Sequence, residues 1–130
     1  MIGLDTTAII DLFKGDPFIK KILDNSTDTF YTTIINHQEI MIGINSSDKN
    51  LNQEIAFYHQ FFDNLTILPM DIHTSAKASD IFWNLKKKGK DIGKFDCIIA
   101  SILQSHGVEK ILTKNVRHFK EIPSLKVVSY

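Results

Sequence analysis

Asp5, Glu39 and Asp96 are the residues of this chain whose type and setting point most directly to chemistry. Asp5 follows Ile2-Gly3-Leu4, a run that reads as a short buried strand, and precedes a helix, which puts it at the carboxyl end of that strand. Glu39 stands four residues after Ile35 and three before Ile42, on the apolar stripe of a helix expected over residues 34–44. Asp96 heads a second stripe, with Ile99, Ala100 and Leu103 three, four and seven residues on. Each has a structural reading too: a helix cap for Asp5, an edge acid reaching water for Glu39, an acid favoured by the helix dipole for Asp96. Carboxylates are seldom buried unless they are paired or bind a metal. Two of them about 5 Å apart repel by roughly 3 kcal/mol at an effective dielectric of about 20. A cluster of three inward-aimed acids therefore needs a shared proton or a cation. Hard oxygen donors favour Mg²⁺ or Mn²⁺, and the scattered His37, His59, His73, His106 and His118 offer no spacing for zinc.

A second group of polar residues occupies 113–119 (TKNVRHF), directly after an expected strand. It brings Thr113, Lys114, Asn115 and Arg117 to the same edge as Asp5. Asn115 can support a metal-bound water, and Lys114 or Arg117 can meet a phosphate; a capped turn with solvated charges is the plainer alternative. The total charge is balanced, 15 Lys+Arg against 15 Asp+Glu. The balance hides a gradient, because residues 1–83 carry five basic and eleven acidic side chains and residues 84–120 carry nine basic and three acidic. Lys87, Lys88 and Lys94, with Lys86 and Lys90, lead along the chain toward Asp96. They are either a track for a polyanion or a solvated helix end.

The elements that must position these residues alternate along the chain. Strands are expected at residues 2–4, 29–33, 65–68, 110–113 and 126–129. Helices are expected from Thr6 or Thr7 to Gly15, from Asp16-Pro17 onward, over 34–44, 48–62 and 71–88, and over 96–105 before Gly107. Phe18, Ile19, Ile22 and Leu23 are expected to face inward. Such alternation predicts a mainly parallel sheet of about five strands covered on both faces, an α/β fold in one domain over residues 1–130. Ligands of such sheets bind outside the carboxyl ends of the strands.

Composition bounds the remaining possibilities. At 130 residues, 43% apolar, the chain suffices for one core without staples. The single Cys97 fits a reducing, cytoplasmic setting. No stretch approaches the roughly 18 apolar residues of a membrane span, and Asp5 interrupts any signal-like opening.

Four stretches resemble one known family. Residues 1–12 (MIGLDTTAIIDL) are similar to the opening strand and helix of PIN-domain ribonucleases, and residues 33–43 match the segment carrying their second acid. Residues 92–101 (IGKFDCIIAS) resemble the helix of the third acid, and 113–119 followed by 122–127 resembles the final strand–turn–strand. The compact length is similar to the toxin branch of toxin–antitoxin pairs, the VapC-like endoribonucleases. The resemblance implies a three-layer α/β/α sandwich and Mg²⁺- or Mn²⁺-dependent RNA cleavage. It implies Asp5 and Asp96 as the most direct metal ligands, Glu39 holding the metal or its water, and Thr6 supporting Asp5. It further implies an antitoxin partner and a homodimer, for which Phe57, Phe61, Phe62, Phe82 and Trp83 are candidate contacts unless they are core. Many members place a fourth acid after strand four, where this chain has Asn115 and His118. That departure leaves a catalytically impaired binding module as the alternative; a phospho-receiver domain lacks its accepting Asp after the middle strand.

Overall fold

The computed structural model describes residues 1–44 and 51–130. Short β-rich runs form five parallel strands: β1 (Ile2–Leu4), β2 (Phe30–Thr33), β3 (Thr66–Leu68), β4 (Lys110–Leu112) and β5 (Lys126–Val128). Their order across the sheet is β3-β2-β1-β4-β5, with Gly3 paired to both Tyr31 and Ile111. The first three strands step one way, and β4 then returns to the other side of β1. The winding thus reverses between β1 and β4, and their carboxyl ends flank the crevice where such sheets take ligands.

Helices cover both faces. The helices α1 (Thr6–Phe13), α2 (Pro17–Asn25), α3 (Ile34–Gly43) and α4 (Leu51–Asp63) close one core, containing Ile2, Leu4, Ile9, Ile19, Ile40, Tyr58, Phe62 and Leu112. The other core gathers Leu85 of α5 (Ile72–Lys87), Ile99, Ile102 and Leu103 of α6 (Lys94–Ser105), Phe119 of α7 (Val116–Phe119), and Ile111. Adjacent residues Ile111 and Leu112 enter opposite cores, as the period of two along a strand requires. The expected α/β/α sandwich is the fold observed.

Local signals explain most boundaries. Asp16 caps α2, accepting from the backbone of Phe18 at 2.9 Å and Ile19 at 3.2 Å, with Pro17 in the first turn. Asp71 and Thr74 form a capping box on α5. Gly89 and Gly107, just past α5 and α6, have φ of 74° and 75°, a backbone that strains any side-chain-bearing residue. Gly3 serves packing instead: a Cβ there would lie 2.7 Å from Leu103 Cδ2, so the bare backbone lets α6 press against the central strand.

Several expectations need correction. Phe18 is 67% exposed and Ile42 is 76% exposed, so neither faces inward; apolar spacing alone does not show where a stripe ends. Helix α6 begins at Lys94, one half-turn before Asp96, and residues 116–119 form a short helix rather than a plain turn. Residues 48–50 of the expected fourth helix lie outside the described residues, and α4 is seen from Leu51. Phe62 is core, Phe57 and Phe61 are half-buried, and Trp83 is 54% exposed.

Candidate active site

Asp5 leaves the central strand at the winding reversal and is 3% exposed. It is the N-cap of α1 by position, yet its side chain makes no capping hydrogen bond. This corrects the expectation of a Thr6 or Thr7 cap and removes the structural reading of Asp5. Its carboxylate is taken up sideways. Oδ2 accepts from Thr113 Oγ1 at 2.7 Å and from Thr7 Oγ1 at 3.4 Å, and Oδ1 accepts from Asn36 Nδ2 at 3.0 Å. Thr113 directly follows β4, so the bond to Asp5 bridges the ends of the two strands that bound the crevice.

Asn36 and Glu39 share one face of α3, one turn apart. Thr33 at the end of β2 starts that helix, accepting from the Asn36 backbone at 3.3 Å and donating its hydroxyl to Asn36 Oδ1 at 2.7 Å. Thr6 Oγ1 accepts from Asn36 Nδ2 at 3.0 Å and donates to Glu39 Oε1 at 2.9 Å. The Thr6 backbone supports Asp5, as expected of the neighbouring position, while its hydroxyl, in the first turn of α1, points toward α3 and serves Glu39. Asp96, in the first turn of α6, has its Oδ2 2.8 Å from His118 Nδ1 on α7. Glu39 also borders a cleft of about 190 Å³ walled by Ile10, Phe13, Ile40 and Tyr58.

The electrostatics tie the three acids together. Burial raises the Asp5 carboxyl above its ordinary range, opposed by the bonds from Thr113, the Thr6 backbone, Asn36 and Thr7. Burial also raises Glu39; the Thr6 bond opposes this, and the charges of Asp5 and Asp96 push it further up. Asp96 is raised by burial and by Asp5, against the His118 bond. Three elements far apart in sequence thus bring their acids within each other's field.

Among the described residues no Lys or Arg pairs with any of these acids. Nor are three His, Cys, Asp or Glu side chains gathered closely enough to enclose an ion. The fit to a divalent cation is therefore one of charge and donor type. All the acids offer hard oxygen, two lack any cationic partner, and each would be eased by positive charge.

The remaining candidates are dispersed. Asn115 Oδ1 caps nothing; its backbone N–H donates to Thr113 Oγ1 at 2.9 Å. Lys114 Nζ is held 2.9 Å from Asp11 and 4.0 Å from Asp16, over the Tyr130 ring. Arg117 and Lys94 are exposed, on α7 and at the start of α6, the two helices whose His118 and Asp96 meet. Lys87 and Lys88 are exposed as well, and Lys88 lines a cavity of about 480 Å³ with Gln104, Glu109 and Ser124. Glu109 and Ser124 precede β4 and β5, so Lys88 lies at the amino edge, away from Asp5. The chain leads from these lysines to Asp96, but the fold carries them apart. Asn36, Thr7 and the His118–Asp96 pair went unread in the sequence. A Thr-x-x-Asn helix start was the available signal for Asn36.

Comparison with known proteins gives a consistent set of relatives. The family model described as PIN domain matches residues 2–125. Ribonuclease VapC of Rickettsia bellii is 31% identical over 128 residues, covering 97% of this chain and 93% of that protein. The tRNA(fMet)-specific endonuclease VapC of Salmonella typhimurium is 28% identical over 127 residues, covering 95% and 93%. Among solved structures, VapBC2 from Rickettsia felis bound to a promoter DNA fragment superposes with a TM-score of 0.86 at 24% identity, covering 100% of this chain and 99% of that one. VapBC-1 from nontypeable Haemophilus influenzae gives 0.82 at 26% identity, covering 99% and 98%.

Proposed function

The chain belongs to the PIN-domain family, and on that premise we propose that it is a Mg²⁺- or Mn²⁺-dependent endoribonuclease of the VapC type, the toxin half of a toxin–antitoxin pair. The observation that carries this reading is Asp5: a buried carboxylate at the winding reversal, bonded only by uncharged donors and coupled electrostatically to Glu39 and Asp96. A helix cap or a structural ion pair would look different.

Asp5, Asp96 and Glu39 are the residues that would hold the ion. When bound, a divalent cation neutralises charge developing on the phosphate oxygens and makes water acidic enough to attack near neutral pH. The chain's own residues do the rest. Thr113, Thr7 and Asn36 keep Asp5 oriented with its charge toward the crevice. Thr6 holds Glu39, and His118 holds Asp96. Lys94 and Arg117 are the exposed cations on the helices around Asp96, suited to an RNA backbone approaching an acidic centre. Lys114 joins them only if it leaves Asp11, and Lys87 and Lys88 only if the RNA reaches the amino edge.

The partners follow the same reading. The structural neighbours named above are toxin–antitoxin complexes. Here Trp83, Met70 and Phe95 stay exposed, Trp83 and Met70 lining an apolar cleft of about 300 Å³ between α5 and α6. That surface suits an antitoxin segment or a second copy of the chain. A cytoplasmic setting fits RNA as substrate; no described helix is long and apolar enough to cross a membrane.

The test is cleavage of RNA by the purified chain with Mg²⁺ or Mn²⁺, with and without EDTA. Chelation should stop the reaction, and Asp96→Asn should abolish it with an unchanged circular dichroism spectrum. An Asp96→Asn protein that cuts at the parent rate removes the assigned centre. A parent that cuts nothing, while folded and metal-loaded, favours the impaired binding module.

A further inference from the structure

Asn36 is 1% exposed, a polar side chain in the interior with both amide hydrogens and its oxygen engaged. Its oxygen accepts the Thr33 hydroxyl, and its nitrogen donates to Asp5 Oδ1 and to Thr6 Oγ1. The chemistry of the termini sets the direction of the whole chain. Ionised Asp5 and Glu39 only accept. The Asn36 amide must therefore present nitrogen to Asp5, leaving its oxygen for Thr33, and the Thr6 hydroxyl must spend its one hydrogen on Glu39. Protons thus point one way, from Thr33 through Asn36 to Asp5, and through Asn36 and Thr6 to Glu39.

We infer that Asn36 is a positioning residue for the ribonuclease centre, the branch point of a one-way donor chain that orients Asp5 and Glu39 together; this rests on the function proposed above. A residue needed only for folding would serve one helix. Asn36 instead joins the end of β2, the start of α1 and the face of α3, and both of its outgoing branches reach carboxylates of the centre. Thr6 lies downstream of it on the Glu39 branch alone. The chain does not touch substrate; it sets the acids that do.

The order of the chain makes the inference testable by a double-mutant cycle. Mn²⁺ affinity of the metal-free protein is measured by calorimetry, with RNA cleavage and thermal unfolding alongside. Asn36→Ala should weaken Mn²⁺ binding about tenfold or more, the usual effect of losing a partner behind a ligand. It should lower kcat and leave KM for RNA unchanged. Thr6→Val should cost less than Asn36→Ala, because it breaks one branch. The double variant should lose less than the product of the two single losses, since both act through one connected network. Should Asn36→Ala not fold, Asn36→Leu keeps the shape, removes the donor hydrogens without adding a charge, and takes its place in the cycle. Independent, multiplying losses overturn the chain, as does unchanged Mn²⁺ affinity in a folded Asn36 variant. Asp5→Asn separates the two readings: if it too binds Mn²⁺ and cleaves like the parent, the centre itself is misplaced and the inference falls with it.

Discussion

Thr113→Val is the sharpest probe of how Asp5 is held. The residue is fully buried, and valine has nearly the same shape, so no cavity forms. What disappears is the hydroxyl that donates to Asp5 at 2.7 Å, shares a 3.3 Å contact with Thr7, and accepts from the Asn115 backbone at 2.9 Å. Asn115 is exposed, so its N–H regains water at little cost. The loss is dominated by the bond to the carboxylate, a charge-assisted one worth about 1.5–3 kcal/mol. Asp5 cannot recover that from solvent. At this chain length the melting temperature should fall by roughly 6–12 °C, with the urea m-value unchanged. The pH dependence has a definite sign. The Thr113 bond lowers the Asp5 pKa relative to what burial alone would set, so its stabilisation is present when Asp5 is ionised. The gap between parent and variant should be full at pH 8 and shrink as pH falls through the raised Asp5 pKa. Urea melts of metal-free protein across pH measure it. A gap below about 0.5 kcal/mol at pH 8, the scatter of an ordinary surface substitution, or one that does not change with pH, refutes the assignment of Asp5 as a buried, ionised acceptor.

Other expectations follow from the same structure. In metal-free protein the raised pKa values of Asp5, Glu39 and Asp96 mean that burial opposes their charged forms. Parent stability relative to Asp5→Asn should be lowest near pH 8 and recover as pH falls toward the ordinary values of 3.8 and 4.5, while added Mn²⁺ should reverse the order. Thermal unfolding of the two proteins checks this, and a gap that widens toward acid refutes it. Gly3→Ala should destabilise by about 1–3 kcal/mol through overpacking against Leu103. A variant as stable as the parent in urea would show that α6 can retreat. For RNA, Lys94→Ala/Arg117→Ala should lower the slope of log affinity against log salt by roughly 1.4, and Lys87→Ala/Lys88→Ala by much less. Filter binding from low to moderate salt distinguishes the pairs, and the opposite ranking would put the RNA track at the amino edge.

The alternation of β-branched runs with capped helices was enough to read a parallel α/β sheet, because strand period, N-caps and terminal glycines are local properties of neighbouring residues. The three acids, at a strand end, on α3 and in the first turn of α6, were legible for the same reason: a charged residue beside an apolar run conflicts with its surroundings on the page. Which donors meet those acids was not legible. Thr113 lies 108 positions from Asp5, and Asn36 lies 31; the return of β4 beside β1 makes the first a neighbour, and the pairing of β2 with β1 the second. Thr6 illustrates the limit: adjacency in the chain assigned it to Asp5, which its backbone serves, but only the turn of α1 aims its hydroxyl at α3 and Glu39. Lys88 shows the converse, near Asp96 along the chain yet beside Glu109 and Ser124 at the opposite edge of the sheet. Residue type and period are set by nearest neighbours. Hydrogen-bond partnership across elements depends on where the backbone returns, and that is decided by the packing of two cores against one sheet.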